Sequence, residues 1–96
     1  MPGRTTKKYS LEQNVNFGMR ALGVLADEAE ALEISQIQSK DMMLKNLTNQ
    51  KMARVLSELC EMGLVLKSKS RATNRMTYKA RAVCEAQGYD VESMVY

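Results

Sequence analysis

"LTNQKMARVLSELCEMGLVLKSKSRATNRMTYK", Leu47 to Lys79, changes its period halfway along, and that change decides the fold. Up to Met62 the apolar residues Met52, Val55, Leu56, Leu59 and Met62 recur at three- and four-residue intervals, the stripe of a half-buried helix. Gln50, Arg54, Ser57 and Glu61 occupy the opposite face, with Lys51 and Glu58 at its edge. Thr48 is the expected N-cap, and Leu47 before it is placed to pack on Met52 as a hydrophobic staple. Gly63 stands where a left-handed residue closes a helix at little cost. Beyond Gly63 the period is two. Leu64 and Leu66 alternate with Val65 and Lys67, then Met76, Tyr78 and Ala80 alternate with Thr77 and Lys79. The polar connection Ser70 to Asn74 makes these two strands a hairpin with a longer, mobile tip, anchored by Leu66, Met76 and Tyr78.

Upstream, Ser10 with Gln13 fits a capping box, and Val15, Met19, Leu22, Leu25, Ala26 and Ala29 recur at helical spacing. A first helix of roughly Leu11 to Ala29 is expected. Leu32-Glu33-Ile34 alternates like a short strand, and Ser35 with Gln38 opens a second, short helix that turns Ile37 inward. "KDMMLKN", Lys40 to Asn46, ends that helix and makes the turn, with Met42, Met43 and Leu44 expected mostly buried. Downstream, a short helix from about Ala80 to Gln87 is closed by Gly88. The expected organisation is a flexible basic arm over 1–9, one domain over 10–88, and an apolar tail over 89–96 that offers a dimer contact.

Ninety-six residues, 45% hydrophobic and 26% charged, make one small globular domain with an aliphatic, Met-rich core. There is no His, so the common zinc patterns and the Ser-His and Cys-His nucleophile pairs are absent. The five Gly are scattered singly, which leaves no phosphate-cradling loop. Cys60 and Cys84, 24 residues apart, read as reduced structural thiols, with a disulfide or a reactive thiol as the alternatives. No enzyme activity, cofactor or metal is expected. With no apolar run long enough for a bilayer and no secretory signal, a cytoplasmic protein is expected.

Net charge is +3, unevenly spread. Asp27, Glu28, Glu30 and Glu33 form an acidic stretch, whereas Lys40 to Arg81 holds ten bases against three acids. A segregated basic half is the footprint of a nucleic-acid binder, although solvated basic faces are common and charged edges also keep strands from pairing.

Helix, short strand, helix, turn, helix and hairpin is the element order of a winged helix-turn-helix domain, mainly α with a small β-hairpin. Leu32, Ile34 and Ser35 before the second helix, Arg54-Val55-Leu56 within the third, and Leu59, Gly63, Leu64 and Val65 leading into a basic hairpin carry a resemblance to IclR-type DNA-binding domains, and more loosely to the MarR type. It covers roughly 15–79. The turn between the second and third helices is about four residues longer than that family uses. The chain also ends before the effector domain of IclR-type regulators, so no small-molecule effector is expected.

The resemblance implies a sequence-specific double-stranded DNA-binding protein, a small transcriptional regulator acting as a homodimer. The N-terminal residues of a helix can reach base edges in the major groove, here Thr48, Asn49, Gln50, Lys51 and Arg54. Asn and Gln suit adenine and Arg suits guanine. Lys67, Lys69, Arg71, Asn74 and Arg75 on the hairpin would hold phosphates or the adjacent minor groove, and Arg4, Lys7 and Lys8 of the arm would add backbone contacts. The alternative is a protein-interaction module of the same shape that binds no DNA. RNA or single-stranded DNA is disfavoured by the scarcity of aromatic residues on which bases stack.

Overall fold

A computed structural model describes residues 11–89, with side chains from residue 16 onward. Five helices and one hairpin follow in the order α1 (Leu11–Ala26), α2 (Ile34–Ser39), α3 (Met42–Lys45), α4 (Asn49–Glu61), β1 (Val65–Lys69), β2 (Met76–Ala80) and α5 (Arg81–Ala86). The protein is therefore mainly α with a two-stranded antiparallel sheet. The arm, the capping pair at Ser10 and the tail beyond Tyr89 lie outside the described residues.

Local chemistry sets the ends of α4 as the sequence predicts. The Thr48 hydroxyl accepts the Lys51 N–H at 3.1 Å. At the other end the Leu64 N–H reaches the Leu59 carbonyl and the Gly63 N–H the Cys60 carbonyl, both at 3.0 Å. This paired arrangement satisfies the last carbonyls, and it needs the φ of +79° that Gly63 supplies. Met52, Val55, Leu56 and Leu59 are buried, but Met62 is 68% exposed. As the C-cap it has turned out of the stripe.

α1 stops at Ala26, a turn short of the expected Ala29. Three acids, Asp27, Glu28 and Glu30, follow at once, where the helix dipole disfavours negative charge. Phe17, Ala21 and Leu25 face inward and join Leu32, Ile37, Leu44, Leu47 and the α4 stripe in one core.

The segment between α1 and α4 departs most from its expected form. Leu32 is bridged to Tyr78, donating to its carbonyl at 2.9 Å and accepting its N–H at 2.8 Å. Because this fixes Leu32, α2 starts directly afterwards. Glu33 is its N-cap in a reciprocal box with Gln36, whose side-chain oxygen accepts the Glu33 N–H at 2.8 Å. The expected box of Ser35 with Gln38 does not form. Lys40 to Asn46 is not a plain turn either. Asp41 accepts the N–H groups of Met43 and Leu44 at 2.9 and 3.1 Å and starts the single-turn α3. One turn can direct only one of its apolar side chains inward: Leu44 is buried, while Met42 and Met43 are 83% and 48% exposed.

Gln38 holds this segment. Its amide nitrogen donates to the carbonyls of Leu44 at 2.9 Å and Leu47 at 2.7 Å, tying α2 to both ends of the α3–α4 junction. From α1, Arg20 pairs with Asp41 at 3.0 Å, and Lys40 pairs with Glu28 at 3.5 Å.

In the hairpin Val65 pairs with Ala80, Lys67 with Tyr78 and Lys69 with Met76. Val65, Tyr78 and Ala80 therefore share the face turned to the main core, and Leu66 faces the other way. There α5 covers it, and Leu66 is buried together with Cys84. Covering on both sides is why simple alternation misassigns this strand. Of the expected anchors Leu66 and Tyr78 are buried, whereas Met76 is 41% exposed. On the α5 side Lys79 is buried, its ammonium bonded to the Gln87 side-chain oxygen and stacked 4.7 Å from the Tyr89 ring centre.

Candidate nucleic-acid interface

Capping places the first turn of α4 at the surface. Thr48, Asn49 and Gln50 are exposed, as is Arg54 one turn on, so Gln50 and Arg54 share an outward face. Thr48 spends its hydroxyl oxygen on the cap. Lys51, at the edge of the polar face, is half-buried, with its ammonium 5.9 Å from the ring centre of Phe17 on α1.

Lys67 and Lys69 lie on the core-facing side of β1, and both are exposed. At the tip, Ser70 donates to the Arg75 carbonyl and accepts from the Asn74 N–H, both at 2.8 Å. Asn74 takes a φ of +59°, which asparagine tolerates better than most residues, so no glycine is needed. The bonded tip leaves the side chains of Arg71 and Asn74 at the surface. Arg75 points back toward the helices and pairs with Glu33 at 3.4 Å.

That pair closes one side of an open cleft of about 410 Å³ lined by Glu33, Ile34, Ser35, Asn49, Arg75 and Met76. The starts of α2 and α4 and the stem of the hairpin thus share one face. Glu33 and Ser35 were missed as site residues. Ser35 read as a cap, and the Leu32–Tyr78 bridge with the Arg75–Glu33 pair brings this segment against the hairpin. Among the described residues, Arg54, Lys67, Lys69 and Arg71 have no carboxylate partner, which leaves their charge available to an external anion. Glu58 and Glu61 lie toward the far end of α4, about 15 Å along its axis from Asn49.

Burial pushes the Cys60 thiol up, against a smaller downward pull from the Lys67 charge, and burial likewise raises Cys84. Both cysteines are free and held as thiols. Among the described residues no His, Cys, Asp or Glu side chains gather into a metal-holding group, and no helix is long and apolar enough to cross a membrane. No protein-family model, curated protein or solved structure matches the chain.

Proposed function

We propose that the chain is a small winged helix-turn-helix protein that binds double-stranded DNA with sequence preference and regulates transcription. α4 enters the major groove by its first turns, where Asn49, Gln50 and Arg54 read base edges. The hairpin acts as the wing, with Lys67, Lys69 and Arg71 on phosphates and Asn74 at its tip. Arg75 is divided between Glu33 and the DNA backbone. Lys51 stays on Phe17 and orients the helix against α1. The observation that carries the reading is the shared face: the exposed first turn of α4 and the stem of the basic hairpin border one cleft.

Binding two half-sites as a homodimer belongs to the same proposal. The contact is the hollow between the end of α1 and α5, where Ala26, Ala29, Ala82, Val83 and Ala86 are joined by Gln87, Asp27 and Glu28, the last of these paired with Lys40. Fluorescence anisotropy with random and selected duplexes tests the reading. Expected are salt-sensitive binding to both kinds of duplex and tighter binding to the selected ones. Absence of binding at low salt rejects it. A protein-interaction role without DNA is the second reading, favoured by an apolar groove on another part of the surface.

A further inference from the structure

That groove lies between the middle of α1 and the C-terminal half of α4. α1 contributes Gly18, Met19 and Leu22, α4 contributes Val55, Glu58, Leu59 and the C-cap Met62, and Leu64 completes the lining. Its volume of about 170 Å³ suits one or two apolar side chains, and its lining is mainly apolar. Met19 and Met62 stand 66% and 68% exposed on either side, with Leu64 beside them. Flexible thioether side chains around an exposed apolar slot fit an adaptable protein-binding surface better than a misplaced core. The groove shares no lining residue with the cleft at the start of α4, so both can be occupied at once.

Charge selects the occupant. Glu58 lines the groove and exposed Glu61 follows one turn on; among the described residues neither makes an ion pair. The closing turn of α4 adds the negative end of its dipole. The Arg81 guanidinium lies beside Gly63, between Met62 and Leu64, but it is paired with Glu85, so Glu58 and Glu61 leave this rim net negative. A second copy docking by the same patch would set Glu58 and Glu61 against their counterparts. The chain's own tail, "YDVESMVY", brings Asp90 and Glu92 and no base. We infer that the groove is the docking site for a segment of another protein: an amphipathic helix with apolar residues at helical spacing, flanked by Lys or Arg. The inference does not rest on DNA binding, and either can fail alone.

Selection from a displayed library of random peptides on the full chain, followed by titration of the synthesised winner, tests it. Enriched sequences should carry paired apolar residues three or four apart and net positive charge. Met19→Gln and Met62→Gln change exposed side chains and should each weaken the winning peptide by roughly tenfold. Glu58→Gln with Glu61→Gln should weaken it several-fold and reduce its salt dependence. Circular dichroism and duplex binding should stay as in the parent. Enrichment of acidic or uncharged peptides, or equal affinity for the Met variants, overturns the proposal. So does a concentration-dependent dimer that Met19→Gln and Met62→Gln abolish, because a second copy would then be the occupant.

Discussion

Replacing Gln38 by Leu removes the one side chain that ties α2 to both ends of the α3–α4 junction. The substitution keeps much of the volume and deletes the donors to Leu44 and Leu47. The Leu44 carbonyl still receives the Leu47 N–H at 3.0 Å, so its loss there is an ordinary net hydrogen bond of about 1 kcal/mol. The Leu47 carbonyl sits just before the α4 cap, on a buried residue, and losing its 2.7 Å donor costs about 1–2 kcal/mol. Together these make about 2–3 kcal/mol, which lowers the melting temperature of a domain this size by roughly 10–20 °C. Urea and thermal unfolding followed by circular dichroism measure it, and hydrogen exchange should show faster opening near Leu44 to Thr48. Gln38→Glu is the sharper companion. It turns a carboxylate toward two carbonyls, so it should destabilise at least as much at neutral pH and recover part of the loss once protonated. A cost below about 0.5 kcal/mol for both variants would refute the reasoning, because α3 would then be held by packing alone.

Gly63→Ala forces a side chain into a φ of +79°, and a loss of about 1–2 kcal/mol is expected in urea unfolding, with m unchanged. Asp41 is subject to an upward push from desolvation, but the Arg20 hydrogen bond, the N–H groups of Leu44 and Met43 and the Arg20 charge outweigh it and hold the carboxyl below its usual range. A lowered folded value means the stabilisation is present above the unfolded pKa of about 3.8 and disappears as pH falls through the folded one. Asp41→Asn should therefore be less stable than the parent at pH 7 and should lose less on acidification below about pH 4. In duplex titrations, replacing Lys69 and Arg71 by Ala should flatten the log-affinity against log-salt slope by about 1.8, two phosphates at about 0.9 each. An unchanged slope would remove the hairpin from the proposed DNA contact.

What was legible in the sequence is what short-range chemistry decides. Thr48, the Met52–Leu59 stripe and Gly63 determine α4 within its own neighbourhood, and α5 ends at Gly88 for the same local reason. The errors fall where distant segments intervene. Leu32 is captured by Tyr78, 46 residues away, and this moves the start of α2 two residues earlier and frees Gln38 for the junction. α5 folds over the back of the hairpin, so Lys79 is buried although alternation assigns it to solvent, and Leu66 is buried against Cys84 rather than in the main core, where Val65 takes its place. Within the candidate site, exposure at Asn49, Gln50 and Arg54 follows from the helix wheel. The stacking of Lys51 on Phe17 and the pairing of Arg75 with Glu33 depend on tertiary placement that no local pattern encodes.

The bridge between Leu32 and Tyr78 has a mechanical consequence. Strand β2 is clamped at mid-length to the segment that begins α2, and the Arg75–Glu33 pair adds a second fastening nearer the tip. The hairpin is then a lever with its fulcrum at Tyr78 and a short free arm from Ser70 to Asn74. In the proposed DNA complex a load on Lys69 or Arg71 would pass through these fastenings into the start of α2, and through Gln38 into the junction before α4. Contact at the tip and the tilt of the helix would then be geared to each other.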